Sequence, residues 1–351
     1  MSGRWHLLGR VMMRVPASIK EVAKRLGRRP PDCLLNNGSR LLIRRSSDCR
    51  TVRWEWSSHV RSGQCSCAAV RVDDRGLSKR SVMNALADRV VAFRRLHSSG
   101  CFVMPNPWDA GSARVLEQLG FRALATTSAG FAWTLGRVDN QVTRDEALDH
   151  LRSVASAVRV PVNADFEGGF AVDAQDVHAN VTLAVATGVA GLSIEDSSGD
   201  GAHPLYELDL AVERIRAARR AIDDSGTGVV LTGRSEGFVI GRPDIDETIH
   251  RLRAYSEAGA DCLYAPRIDQ VDEVTAIVAA VAPKPVNVLI NSPFMTVAQA
   301  EALGVRRISV GGTLARAAWK GWLAAATEIA DEGTFTGFGQ LPNVEALLGG
   351  P

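Results

Sequence analysis

Asp165 and Glu167 stand where the apolar run of Pro161–Phe170, Pro-Val-Asn-Ala-Asp-Phe-Glu-Gly-Gly-Phe, breaks into a glycine-rich turn. Carboxylates at the end of a short strand are placed for chemistry rather than packing. Gly191-Leu-Ser-Ile-Glu195-Asp196-Ser197 repeats the arrangement further along the chain. Asn163 and Asp165 are two residues apart, so they face the same side of an extended strand, and Glu195 on a neighbouring strand end can reach the same space. Oxygen donors without His or Cys suit Mg²⁺ or Mn²⁺, leaving open positions for water and a substrate. Arg234 and Glu236 end a third such run and set a guanidinium against the acids.

These residues need a scaffold that brings several strand ends together. After Met83 the chain alternates strand-like and helix-like segments with short connections. The strands read as Phe102–Asn106, Ala123–Ser128, Pro161–Phe166, Gly191–Asp196, Val229–Arg234, Cys262–Pro266, Pro285–Asn291 and Arg307–Gly311. An amphipathic helix over Asn84–His97 precedes the first, and each strand is followed by a helix candidate. Gly120, Gly188, Gly259 and Gly304 close helices, while Thr143, Asp244 and Thr296 open them as caps. The expectation is an α/β chain folded as a (β/α)8 TIM barrel, with its site at the carboxyl ends of the strands. No Gly-x-Gly-x-x-Gly follows the first strand, which argues against a dinucleotide-binding sheet.

The strand ends then supply the site: Trp108; Ser128, Ala129 and Gly130; Asn163, Asp165 and Glu167; Glu195; Arg234 and Glu236; Asn291 and Ser292. Gly311-Gly312-Thr313 is as consistent with a phosphate cradle as with close packing. A Schiff-base mechanism needs a lysine inside the barrel. Beyond residue 83 the only lysines are Lys284, at the wrong end of its strand, and Lys320, on the last helix. His203, in the loop after strand four, is the one histidine near a strand end and a candidate acid or base.

Composition fits a globular chain, with 46% hydrophobic and 23% charged residues and no apolar run long enough for a membrane span. The beginning of the chain lacks a secretory pattern, and a cytoplasmic protein is expected. The charge is split: residues 1–82 hold 18 Lys+Arg against 6 Asp+Glu, which leaves 23 against 33 for the rest. Residues 1–82 show no periodicity and are expected to be a poorly ordered basic extension, or a misassigned start ahead of Met83. Ala17–Gly27 resembles the first helix of a helix-turn-helix but no recognition helix follows, and Cys65-Ser-Cys67 lacks the spacing of a zinc site. The expected division is extension 1–82, catalytic barrel 83–333 and C-terminal tail 334–351.

Asn84–Gly333 resembles the isocitrate lyase and phosphoenolpyruvate mutase superfamily. The resemblance rests on Pro105-Asn-Pro-Trp-Asp-Ala-Gly-Ser-Ala113, Thr126-Thr-Ser-Ala-Gly130, Asn163-Ala-Asp-Phe-Glu-Gly-Gly169, Ser193-Ile-Glu-Asp196, Thr232-Gly-Arg-Ser-Glu236 and Ala254–Asp261. It implies a Mg²⁺-dependent enzyme acting beside a 2-oxo or 2-hydroxy carboxylate through an enolate held on the metal. Asp165 would be the nearest ligand, Asn163 and Glu195 would act directly or through water, and Asp139 would lie in the outer shell. Ser128, Ala129 and Gly130 would receive the substrate carboxylate, and Arg234 would neutralise its charge. Two departures stand out. The strand-four loop, Ser197–Tyr206, lacks the lyase cysteine and the mutase lysine and asparagine, and the usual Asp-Ala-Asp-Thr-Gly is here Asn163-Ala-Asp-Phe-Glu167. The expected activity is therefore that of a carbon-carbon lyase, with phosphonomutase or an oxaloacetate-type decarboxylase or hydrolase as the alternative. A non-catalytic metabolite sensor with a DNA-binding tail is the reading from a different class. The expected partners are a small carboxylic acid and further copies of the chain as a dimer or tetramer; neither a membrane nor nucleic acid is expected. The resemblance implies exchange of the last helix, and Ala315–Ile329 with Trp319 and Trp322 is apolar enough for it, although paired tryptophans more often pack in a core.

Overall fold

The computed structural model describes residues 79–349 and two short strands before them, Leu42–Ile43 and Trp54–Glu55, which pair antiparallel. The readings of Ala17–Gly27 and of Cys65 and Cys67 lie outside the described residues, as does most of the stretch 1–82 read as a poorly ordered extension. The chain divides into two units between Gly76 and Leu77, and the second carries the barrel.

Helix α1 (Lys79–Leu96) starts ahead of Met83, so the expected boundary at residue 82 falls inside a helix. Eight strands follow: β1 (Phe102–Met104), β2 (Leu124–Ala125), β3 (Val162–Asp165), β4 (Gly191–Glu195), β5 (Val230–Arg234), β6 (Cys262–Tyr264), β7 (Val286–Leu289) and β8 (Arg307–Ser309). They form one parallel sheet in the order β1-β8-β7-β6-β5-β4-β3-β2. The seam between β1 and β2 is closed by the Ala125 N–H donating to the Pro105 carbonyl at 3.1 Å. Buried Asn106 stitches the seam further: its Nδ2 donates to the Thr126 carbonyl, and its Oδ1 accepts from the N–H groups of Val310 and Gly311. The expected TIM barrel is the fold observed.

Alternation along the strands sorts the side chains. Leu192, Ile194, Leu231, Leu263, Val286, Val288 and Ile308 join one apolar core with helix residues such as Val181, Ile215, Ile222, Leu252 and Ile277. The other set, including Asn163, Asp165, Arg234, Tyr264, Asn287, Arg307 and Ser309, lines the barrel interior. Gly191 and Gly233 mark close approaches: a Cβ on Gly191 would stand 2.6 Å from the Phe93 ring, and one on Gly233 2.8 Å from Tyr255. Phe93 of α1 therefore plugs the lower mouth of the barrel, packing edge-to-face with His97 and Phe102.

The outer helices are α2 (Ala110–Gln118), α4 (Arg144–Ala157), α5 (Ala174–Val185), α6 (Leu208–Ser225), α7 (Ile245–Glu257), α8 (Val271–Val281), α9 (Val297–Ala302) and α10 (Thr313–Glu332), and α3 (Ser128–Thr134) is an extra helix in the loop after β2. Thr143, Asp244 and Thr296 cap their helices through their side chains. The sequence reading ran strand two through Ser128; instead Thr127 caps α3 by accepting from the Gly130 N–H, which turns the chain out of the sheet. The C-terminal tail is partly helical, with α11 (Val344–Gly349) tied to α2 by Arg114 donating to the Leu348 carbonyl. The core reading of the two tryptophans is overturned: Trp319 is 42% and Trp322 59% exposed, stacked edge-to-face on a helix that buries only Ala315. No helix among the described residues is long and apolar enough to cross a membrane.

Candidate active site

A cavity of about 340 Å³ opens at the carboxyl ends of the strands. Ser128, Ala129, Asp139, Asn163, Asp165, Arg234 and Asn291 line it, together with Tyr264, Asn287, Arg307 and Ser309, which sequence reading did not single out. Period two carries all four of these into the barrel. A polar Asn287 or Arg307 inside a strand covered on both faces is the signal that could have found them.

Arg234 organises the β3–β5 side. Its Nη1 lies 3.1 Å from Asp165 Oδ1 and 3.2 Å from Glu195 Oε2, and its Nε donates to Glu236 Oε1 at 2.5 Å. Asp165 Oδ2 in turn accepts from the N–H and hydroxyl of Ser128 at 3.0 and 3.1 Å. Glu236 is a buttress behind Arg234 rather than part of the cavity wall, and its N–H donates to Asp196. Asp196 faces away from the cavity, where Tyr255 and Arg251 hold it.

Around Arg234, three carboxylates share one guanidinium. Burial, then the charge of Asp165, raises Asp139 above the ordinary carboxylate range. Burial, then Asp165 and Asp139, pushes Glu167 up to about 8. Burial also raises Glu195 and Glu236, with Arg234 pulling both back. Glu167 sits in the left-handed region at φ 46°, an uncommon conformation for a side-chain-bearing residue. Its carbonyl accepts from the Glu195 N–H, so the strained turn ties the ends of β3 and β4 together. The Glu167 side chain enters a small recess beside His150, Phe131 and Phe170.

This donor set fits a hard dication. Asp139, Asp165, Glu167 and Glu195 crowd one another beside the single guanidinium of Arg234, and Asn163, two residues deeper than Asp165, keeps a buried Oδ1 without a hydrogen bond among the described residues. No three His, Cys, Asp or Glu side chains among the described residues meet as a ready-made metal site. Mg²⁺ is commonly held by one or two carboxylates with several retained waters, so this donor set suffices for it.

Other expected site residues lie elsewhere. His203 is 80% exposed and pairs with Asp200 at 3.3 Å on the loop surface, outside the cavity lining. Ser292 is exposed, and Trp108 is absent from the cavity lining, its carbonyl bonded to His150. Gly130 packs against Thr127 and Trp108 instead of facing the cavity. Gly311, Gly312 and Thr313 line the cavity; Asn106 takes the Gly311 N–H, and Gly312 lies so close to Trp133 that a Cβ would stand 2.8 Å from its ring.

The family model described as phosphoenolpyruvate phosphomutase matches residues 93–330. The crystal structure of a candidate lyase/mutase from Burkholderia cenocepacia J2315 is 45% identical, covers 76% of this chain and 98% of its own, and superposes with a TM-score of 0.74. The oxaloacetate decarboxylase of Bradyrhizobium sp. (strain ORS 278) is 33% identical over 192 residues, 53% of this chain and 65% of its own. Phosphonopyruvate hydrolase, solved with oxalate and Mg²⁺, is 26% identical, with 74% of this chain and 95% of that chain covered and a TM-score of 0.67.

Proposed function

The chain belongs to the phosphoenolpyruvate phosphomutase family, within the isocitrate lyase/phosphoenolpyruvate mutase superfamily, and on that premise we propose that it is a Mg²⁺-dependent enzyme that forms and quenches the enolate of a small 2-oxo or 2-hydroxy acid, as a carbon-carbon lyase. The observation that carries this reading is the position of Arg234, whose guanidinium contacts Asp165 and Glu195 beside the cavity. An oxygen that gains negative charge there is met by a fixed cation in a half-buried site, where such a contact is worth more than in water. Asp165 and Glu195 would hold the metal, with Asn163 and Asp139 through water, and the bound ion would supply Lewis-acid stabilisation of that oxygen. Ser128 fixes the Asp165 carboxylate, and Glu236 fixes Arg234.

A second reading, decarboxylation or hydrolysis of an oxaloacetate-like acid, draws on one observation: no residue of Ser197–Tyr206 lines the cavity. That loop brings no acid or base to the reacting atoms, and loss of carbon dioxide needs none for its leaving group. A homo-oligomer is also part of the proposal, with the apolar face of α10 around Trp319 and Trp322 covered by a second copy.

Calorimetric titration with Mg²⁺, with and without oxalate as a mimic of the pyruvate enolate, tests the reading on the wild type and Asp165→Ala. Metal-dependent oxalate binding that the substitution abolishes is the expected result. Oxalate binding indifferent to metal or to Asp165 would refute it.

A further inference from the structure

Glu167, Gly169 and Phe170 sit in the left-handed region at φ 46°, 74° and 55°. The turn after Asp165 thus holds two side-chain-bearing residues in a conformation they rarely adopt. Strain of this kind persists only where the surroundings over-determine it. Here each carbonyl from Phe166 to Phe170 has a donor. Phe166 accepts from the Gly169 N–H at 2.9 Å, and Glu167 from the Glu195 N–H at 3.1 Å. Gly169 and Phe170 accept from Asn180 Nδ2 at 2.9 and 3.4 Å. Arg144 donates to Asn180 Oδ1 at 3.1 Å, which fixes the amide with its nitrogen toward the turn. Gly168 accepts from Arg214 Nη2.

The last donor is the unusual one. Arg214, on α6, is 1% exposed, and its Nε and Nη1 are buried without a hydrogen bond among the described residues. Burying a guanidinium so incompletely satisfied is costly. What it touches is two segments of the site: the Gly168 carbonyl, and the face of Tyr206, whose ring centre lies 3.9 Å from the guanidinium carbon. Tyr206 ends the strand-four loop. Its N–H donates to the carbonyl of Asp196, the neighbour of Glu195, and its own carbonyl accepts from Arg251, both at 2.9 Å. The fit leaves no slack, since a Cβ on Gly168 would stand 3.0 Å from Arg214 Nη2. On this side the parallel ladder joins β3 to β4 only as far as Asp165 opposite Ser193. Beyond it, Glu195 depends on the Glu167 carbonyl, and so on where the turn is held.

We infer that Arg214 is a positioning residue for the metal site: by holding Gly168 against Tyr206 it fixes the spacing of Asp165 and Glu195, the two carboxylates proposed above to hold Mg²⁺. The inference rests on that reading. Arg214 is outside the cavity lining and acts only through the two segments it joins. Mg²⁺ demands near-ideal ligand geometry, so a displaced turn costs metal affinity even where the barrel stays folded.

The test is calorimetric oxalate binding across a Mg²⁺ titration of the full-length protein, run below each variant's melting temperature as read by circular dichroism. Arg214→Met keeps an unbranched side chain and loses the donor. It is expected to raise the Mg²⁺ concentration for half-maximal oxalate binding on the order of tenfold or more, the usual size of an outer-shell loss. Arg214→Lys, which keeps a cation able to reach one carbonyl, is expected to stay within about threefold of wild type. Gly168→Ala presses on the same contact without removing a buried charge, and is expected to shift the Mg²⁺ dependence in the same direction as Arg214→Met. An Arg214→Met protein that melts lower yet keeps the wild-type Mg²⁺ dependence would reveal a packing role and overturn the proposal. Should Arg214→Met not fold, Gly168→Ala decides, and an unchanged Mg²⁺ dependence there overturns the proposal equally. A wild type without Mg²⁺-dependent oxalate binding would sink the metal reading itself and the positioning role with it.

Discussion

On the β3–β5 side of the cavity, Asp165, Glu195 and Glu236 share the guanidinium of Arg234; on the opposite side, Arg307 donates to Thr232 and Asn287, and Asn287 donates to Ser309. The first wall is a set of like charges that raise one another's pKa and leave room for a cation. The second carries one buried cation, Arg307, held by the neutral side chains of Asn287 and Thr232. Burial acts on both, but it stores strain where charges are alike and direction where dipoles are in series. One wall is therefore dominated by like charges around a guanidinium, and the other by hydrogen bonds from a buried guanidinium to neutral partners.

The sharpest way to break this contrast is to remove a carboxylate from the crowded wall. Asp165→Ala should abolish metal-dependent oxalate binding and lower turnover on the order of a thousandfold, measured by calorimetry and steady-state kinetics.

The walls should also respond oppositely to pH in the metal-free protein. Glu167 is raised from 4.5 to about 8, so its contribution to stability is present below the unfolded value and lost as pH rises through about 8. His97, beneath Arg307, is lowered from 6.5 to about 3 by burial, then by Arg307, so its contribution is present above 6.5 and lost as pH falls toward 3. Each effect amounts to a few kcal/mol at most. Thermal denaturation across this range should show Glu167→Gln removing the loss on the alkaline side and His97→Gln the loss on the acid side. Saturating Mg²⁺ should suppress only the first; a metal that flattens both would mean the walls are not independent.

Smaller effects are expected away from both walls. Replacing Trp319 and Trp322 together by Ser should shift sedimentation toward monomer while secondary structure by circular dichroism is kept. His203→Ala should change turnover less than about twofold, since an exposed side chain paired with Asp200 has surface-level influence. A larger loss would bring the strand-four loop into the chemistry.

Much of the fold was legible in the sequence. Apolar strands, glycines after helices and Thr or Asp caps are local signals, and all eight strands fall where those signals put them. The acids at the strand ends were legible for the same reason, since period two and the barrel rule together place Asp165, Glu195 and Arg234 at one mouth. Helix α3 was not, because Thr127 reads equally well as a strand residue until its hydroxyl is seen accepting from Gly130. The place of His203 on the loop surface beside Asp200 was not legible, because a loop position says nothing about which way the loop folds.

By itself the sequence determined the barrel, the acidic wall and its suitability for a hard cation, for these follow from spacing and residue type over a few residues at a time. Only the tertiary structure decided how that wall is balanced and what faces it. The network of Thr232, Arg307, Asn287 and Ser309 joins residues from three strands, and its direction depends on which neighbour takes the amide oxygen of Asn287. Hydrogen-bond polarity is a property of contacts between distant segments, and it exists only once the barrel has closed.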